Sequence, residues 1–579
     1  MQNKTNLINI FSLVSIFASF IYSGMAQAQN MSYSFPNVDY NPKYETRAVW
    51  ITTLSGLDWP KTKANSPINR ERQKAELCNQ LDALKKANFN TILLQVRLRD
   101  DVIYPSSQEP FAETLTGTFD KDPGYDPLAF AIKECHKRGM ELHAWMVAIP
   151  LGSDKQVKQM GKKSLVKKRP DMCIRHNARW YLNPGHPETK TYLTAIAKDI
   201  ATRYDVDGIN LDYIRYPDRP KRFPDQRTYR KYGKGKSLAQ WRRDNITEIV
   251  SSIYKSVKSI KPWIKIGSSP VGKYNDVARY SSRGWNAHEI VFQDAQRWMK
   301  EGIHDIILPM AYFRDENFYP FLLDWQENSN GRTIVPGLGI YFLDPSEGNW
   351  TLNDVMQQIH FTRSARFQGQ AYFRTQFLLD NQQGLLDKIK TSVYTSPALV
   401  PPMTWQDSIP PSMPTGLKVE EKADSIILSW NAVTDDIPFK GYSVSNMRYN
   451  IYASKNDIPD IENPRNLKAT YVQGTHFAIP ISKAKDMHFL VTAVDRYGNE
   501  SPVTTKHHQH KNNTSRNNIV KLPELPDAYR LTITDLYARI VWEATYTREI
   551  SVTRFAPGVY YILIYNTKNE LIDKKQFIR

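Results

Sequence analysis

Between Glu45 and about Ser392, short apolar runs alternate with segments whose apolar residues recur at helical spacing. The runs are RAVWIT (47–52), TILLQVR (91–97), ELHAWMVAI (141–149) and GINLDYIRYP (208–217), then IKIGSSP (264–270), DIILPMAYF (305–313), TIVPGLGIYF (333–342) and GQAYFRTQFL (369–378). Between them lie amphipathic stretches such as RERQKAELCNQLDALKKAN, DPLAFAIKECHKRG and DVMQQIHFTRSARF. Eight strands alternating with helices predict an α/β fold, a (β/α)8 TIM barrel over 45–395. An open doubly wound sheet is the runner-up. No glycine-rich phosphate loop follows any of the runs, which weakens it.

The pattern changes after the eighth run. A proline-rich linker (396–412) leads into short alternating strands with turn signals over 413–505, as in a β-sandwich. Trp430, YNIYAS and VTAVDRYGNES there resemble a fibronectin type III domain. A polar linker (506–522) follows, with histidines in TTKHHQHKNNTSRNN that are not expected to bind metal. The last segment, 523–579, predicts a small C-terminal β-domain. Its FAPGVYYILI core and KKQFIR end resemble a type IX secretion sorting domain, although Ala538 and Arg539 stand where that family usually has glycine.

The first 28 residues read as a signal peptide. Lys4 is the positive start, Ile8 to Tyr22 the apolar core, and Ala26 to Ala28 the small-residue cleavage site. An exported, extracellular or periplasmic protein is expected, with no integral membrane segment in the mature chain. The formal charge of +18 then points away from nucleic acid and toward an anionic glycan or the cell envelope. Cys78, Cys135 and Cys173 are too few and too scattered for a zinc or redox motif, so no metal and no cofactor are expected.

Candidate chemistry follows from strand parity. In GINLD, Asn210 and Asp212 share one face and Ile209 and Leu211 the other. The apolar pair should pack on the helices, which turns Asn210 and Asp212 into the lumen, with Arg215 and Tyr216 just beyond. Active sites of such barrels lie at the C-terminal strand ends. That rim collects Trp50, Asp58 and Trp59 from the first strand and Arg97, Asp100 and Asp101 from the second. His143 and Trp145 come from the third, and Tyr312, Tyr341, Tyr372 and Arg374 from the last three. Burial should raise the Asp212 pKa, while Arg215 beside it should keep it ionised. Carboxylates, arginines and aromatic faces on one rim suit a sugar polymer.

The motifs ETRAVWITTLSGLDWP, LLQVR…DVIYPSS, GYDPLAFAIKECHKRGMELHAW, YLNPGHPETKTYL (with Asn183) and YDVDGINLDYIRYP resemble the family 10-like glycosyl hydrolases over nearly the whole barrel. The resemblance implies a glycan-cleaving barrel, with relatives acting on envelope polysaccharides including peptidoglycan stripped of peptides. It places Asp212 at the family's acidic position on strand four. Two departures stand out: Tyr213 where many relatives carry a second Asp, and Met146-Val147-Ala148 where many have LNP. Glycoside hydrolysis usually takes two carboxyl groups. Asp212 is expected as nucleophile or base and Asp101 as its partner, with Asp58, Asp344 and Glu316 as alternatives. Two basic stretches, 155–169 and 219–236, follow strands three and four and should flank Asp212. A non-catalytic glycan-binding protein on the same scaffold is the competing reading. Another carbohydrate-acting enzyme, transglycosylase-like or deacetylating, is a third, deacetylation being weakened by the lack of a metal constellation in the sequence.

Overall fold

The computed structural model describes residues 41–218, 222–278, 284–433, 447–455, 458–503, 519–535, 540–552, 555 and 559–578. The expected signal peptide, the histidine-containing linker and the Ala538–Arg539 departure lie outside the described residues. The chain divides into two units, Met1–Val503 and Thr504–Arg579.

The first unit is built on a parallel sheet of nine segments: β1 (Thr46–Ile51), β2 (Thr91–Arg97), β3 (Glu141–Val147), β4 (Gly208–Asp212), β5 (Lys265–Ser268), β6 (Ile306–Ile307), β7 (Thr333–Ile334), β8 (Gly337–Leu338) and β9 (Gly369–Tyr372). The order is β7-β6-β5-β4-β3-β2-β1-β9-β8. β7 and β8 are two halves of one stave. β7 pairs with β6 and β8 with β9, so the eight staves close into a (β/α)8-like barrel.

The later staves are shorter than their apolar runs predict. Pro270, Pro309 and Pro336 lack the N–H that would continue a ladder, and β5, β6 and β7 all end just before them. Their carbonyls still accept: Met310 N–H donates to Pro270 O, Gly337 N–H to Pro309 O and Ala371 N–H to Pro336 O. Stave four also stops early, at Asp212 rather than Pro217, because Tyr213 takes a left-handed φ of 48°.

Helices start where caps allow them. Ser66, Asp126 and His186 cap helices Pro67–Lys86, Pro127–Lys137 and Pro187–Arg203. A proline at the first helical position costs no hydrogen bond there. Their inner faces, with Ile209, Leu211, Ile92, Leu94, Leu142 and Ala144 of the staves, form the outer core. The opposite stave faces form a second cluster inside the barrel, including Trp50, Leu93, Trp145, Val147, Ile306, Leu308 and Ala371. Every residue of β1 to β5 is buried, as expected of a parallel sheet covered on both faces.

Within the same unit, residues 418–494 form two three-stranded antiparallel sheets around a core with Trp430, Tyr449 and Ile451. They sit against the N-terminal ends of the staves. Arg448 pairs with Asp207 at 3.2 Å and Arg496 with Asp205 at 2.7 Å. The second unit holds a four-stranded antiparallel sheet (Arg530–Asp535, Ile540–Thr545, Val559–Tyr565, Leu571–Ile578) and a two-stranded one (Ile519–Lys521, Glu549–Ser551).

Candidate active site

Asp212 is the last residue of β4, and its carboxylate is held inside the barrel mouth with 5% of the residue exposed. The Trp145 Nε1–H donates to Oδ2 at 3.0 Å and the Tyr213 backbone N–H to Oδ1 at 2.7 Å. The second bond depends on the left-handed turn at Tyr213, which swings the amide back over its neighbour's side chain. Burial pushes the Asp212 pKa up to about 6, against those two donors and the Arg215 charge. Arg215 therefore does not dominate as expected. Its guanidinium donates to Tyr216 O and Asp218 instead, and lies between the rings of Tyr213 and Trp285 at 4.7 and 5.3 Å. Among the described residues, no cation forms an ion pair with Asp212.

The walls around Asp212 are aromatic. Trp50 and Trp145 each pack edge-on against Phe373, with centroids 5.9 and 6.4 Å away. Tyr312 lies 5.5 Å from Phe373 and 5.7 Å from Tyr341. Below Asp212 on the same face, Asn210 donates to Ser269 Oγ at 3.0 Å. Asn210, Asp212, Trp50, Trp145, Tyr312 and Tyr341 are thus brought to the lumen and mouth.

Asp101, the expected partner, is also buried. Its Oδ1 accepts the Arg99 N–H at 2.9 Å. Burial raises its pKa to about 7, with the Arg99 amide pulling down and Glu109 pushing further up. Glu109, Arg97 and Arg99 shift Asp101, whereas Tyr213, Trp145 and Arg215 shift Asp212. Asp100 turns away to accept from Ser164 Oγ and Leu165 N–H. Asp344 caps its own turn at Ser346, and Glu316 is exposed on the loop after β6.

Several expected rim residues are structural. Arg97 is fully buried, pairs with Glu109 through Nε and Nη2, and donates through Nη1 to Val147 O and Ala148 O. It pins the end of β3 and has no free donor face for a substrate. Asp58 and Arg374 form a clamp that also takes the Thr52 and Gln376 amides. His143 shares the lumen parity of Trp145 but lies a layer deeper, tied at 3.1 Å to Glu141, which pairs with Lys265. It fits because β4 starts with Gly208, where a Cβ would stand 2.5 Å from the His143 ring. Trp59, Tyr216 and Tyr372 belong to the outer core. Trp59 donates to Gln73 O, Tyr216 OH accepts from Asn245, and Tyr372 OH bonds Tyr394 OH. Asn183 shapes a turn, accepting the Gly185 N–H and donating to Thr228.

Four residues beyond those expected also line the mouth: Phe373, Tyr181, Arg99 and Arg179. The charges of Arg179, Arg215 and Arg99 act on the Tyr181 phenol, together with that of Asp218, which is paired with Arg215. Part of this basic edge comes from a small antiparallel sheet (Pro150–Ser153, Cys173–His176, Arg179–Leu182) inserted after β3. Lys155, Lys158, Lys162, Lys167 and Lys168 of the same excursion are exposed. Arg222, Arg227, Arg230 and Lys231 after β4 are exposed as well. Both excursions leave from C-terminal stave ends, on the side of Asp212.

Among the described residues, no group of three or more His, Cys, Asp or Glu could hold a metal ion. No helix of the described residues is long and apolar enough to cross a membrane.

Residues 45–340 match the model of a protein family described as glycosyl hydrolase-like 10. Glycosyl hydrolase YngK of Bacillus subtilis is 30% identical over 485 residues, covering 80% of this chain and 93% of that protein. Glycosyl hydrolase DigH of Escherichia coli is 31% identical over 336 residues, covering 53% of this chain and 76% of that protein. Among solved structures, the PgaB (BpsB) glycoside hydrolase domain from Bordetella bronchiseptica matches with a TM-score of 0.43 at 16% identity, over 61% of this chain and 99% of that one.

Proposed function

Because the chain belongs to the glycosyl hydrolase-like 10 family, we propose that it is an exported glycoside hydrolase acting on a bacterial envelope polysaccharide. Denuded peptidoglycan and other acidic glycans are the leading substrates. The observation that carries this reading is Asp212: a carboxylate without a cation partner among the described residues, walled by Trp145, Trp50 and Phe373, with a pKa of about 6. Buried carboxylates are costly unless paired or used, and this one faces the barrel mouth.

Asp212 acts as nucleophile or general base. Its two N–H donors hold one carboxylate rotamer and favour the ionised form that either role needs. Asp101 acts as general acid, a role suited by a pKa of about 7, which keeps its proton available at neutral pH. A carboxyl separation of about 5–5.5 Å in the substrate complex gives retention, and about 6.5–9.5 Å inversion. The arginine edge and the exposed lysines draw a polyanion toward the mouth. The two-sheet unit at 418–494 serves as a fibronectin type III-like spacer, and the C-terminal unit as a sorting domain.

A non-hydrolytic glycan-binding role is favoured by one feature. No second carboxylate is among the groups that shift Asp212. Incubation with denuded peptidoglycan and acidic polysaccharides, with products read by mass, separates the two. The hydrolase releases fragments, Asp212→Asn loses release by about 10²- to 10⁴-fold, and binding persists. Binding without fragments from the unaltered protein overturns the hydrolase reading.

A further inference from the structure

The turn beside Asp212 holds a residue that its backbone does not favour. Tyr213 sits at φ 48°, in the left-handed region that glycine and asparagine adopt at least cost. The turn itself is needed, because it brings the Tyr213 N–H onto Asp212 Oδ1 at 2.7 Å. The amide does that whatever the side chain. Core packing does not call for a tyrosine either: the residue is 43% exposed, directly after a stave in which every residue is buried. Strained backbone positions of this kind cluster at active sites and ligand clamps.

A second exposed ring stands beside it. Trp285, also 43% exposed, lies on the loop after β5. The Gly284 N–H, just before it, donates to Asp276 Oδ1 at 3.3 Å, and Asn286, just after it, caps the short helix Ala287–Ile290. The loops after β4 and β5 are tied to each other through the backbone, where the Tyr216 N–H donates to Val291 O at 3.0 Å. One group joins the two rings. The Arg215 guanidinium lies over both, 4.7 Å from the Tyr213 centroid and 5.3 Å from that of Trp285. Arg215 is buried, and its Nη1 donates to Asp218 and the Tyr216 carbonyl. It braces the rings and offers no free charge to a ligand. Each ring thus has one face on the guanidinium. Among the described residues, neither packs against another aromatic ring, and the outer faces are left to solvent.

We propose that Tyr213 and Trp285 form a sugar-stacking subsite at the lip of the barrel, directly beside Asp212, that takes an uncharged pyranose ring of the glycan by its C–H face. A sugar whose ring substituents are all equatorial, as in β-linked glucose or N-acetylglucosamine, turns axial C–H groups to both faces. Such a face packs on an aromatic ring as another apolar surface does. A ring held there keeps the glycan lying across Asp212. The ligand class rests on the glycan-acting reading, but the subsite does not require hydrolysis.

The test measures, by calorimetry, binding of the N-acetylglucosamine hexamer to the full-length Asp212→Asn protein, in which cleavage is suppressed. Two further variants are made in that parent. Tyr213→Asn removes the ring but suits the left-handed turn, and Trp285→Ala removes the other ring. Each is expected to weaken the hexamer about tenfold, the loss of one stacking contact. Tyr213→Phe keeps the ring and should bind as the parent does. With the strained tyrosine replaced, the urea midpoint of Tyr213→Asn should hold or rise, which a merely structural role for the ring does not allow. Unchanged affinity in Tyr213→Asn or Trp285→Ala, an equal loss in Tyr213→Phe, a lower urea midpoint in Tyr213→Asn, or no binding by the parent would overturn the subsite. An unaltered protein that binds the hexamer but cleaves no glycan would overturn the hydrolase reading and leave these binding results standing.

Discussion

Asp212→Asn should lower activity by about 10²- to 10⁴-fold and yet stabilise the barrel at neutral pH. In the folded protein the Asp212 carboxyl titrates at about 6, against a usual 3.8. About 2 units at about 1.4 kcal/mol each means that ionised Asp212 weakens the fold by up to about 3 kcal/mol above pH 6. The direction follows from proton counting. Between the two pKa values the folded chain holds a proton that the unfolded chain has lost, so stability falls as pH rises through that window. Asparagine removes this penalty. It also leaves one of the two N–H donors, Trp145 or Tyr213, without an anionic acceptor, a loss of about 1–2 kcal/mol. The net expectation is a gain of about 1–2 kcal/mol at pH 7.5 that disappears or reverses below about pH 4. Urea unfolding of the barrel, followed by tryptophan fluorescence at pH 7.5 and pH 4, measures it. A variant that is equally or less stable than the parent at pH 7.5, or a gain that does not depend on pH, would refute a buried and energetically costly Asp212.

Trp145→Phe keeps the aromatic wall but removes a donor to the ionised carboxylate, so the acid limb of kcat/KM should move upward from about 6 by about one unit; an unshifted limb argues against Asp212 as the titrating base. Arg97→Met strands the buried Glu109 carboxylate and should cost about 3–5 kcal/mol in denaturant unfolding, with much of it recovered in Arg97→Met/Glu109→Leu. At the stave bottoms, burial pulls the His136 pKa down but the Asp207 and Asp205 carboxylates outweigh it and leave it raised. His136→Gln should therefore destabilise most below about pH 6.5, and its difference from the parent in thermal unfolding should shrink as pH climbs through the folded-state value.

Local alternation reveals which face a residue takes only when the two faces differ in polarity. GINLD satisfies that condition, and Asn210 and Asp212 do face inward while Ile209 and Leu211 join the outer core. In GQAYF the choice falls between two aromatic neighbours, Tyr372 and Phe373, and alternation cannot rank them. The decision comes from Tyr394, whose hydroxyl draws Tyr372 outward and leaves Phe373 to close the lumen against Trp50. Charged residues are harder, because their work depends on partners far along the chain. Arg97 reads as a rim charge until Glu109 and the Val147 carbonyl are folded onto it, and Trp59 reads as a stacking platform until its N–H finds Gln73 O. The same holds in reverse for Arg99 and Arg179. Their charges meet at Tyr181 because the insertion after β3 folds as a small sheet that carries both Arg179 and Tyr181. Strand parity thus turns Asp212 into the barrel mouth, where its carboxylate is held by the Trp145 and Tyr213 N–H groups and has no ion-pair partner among the described residues.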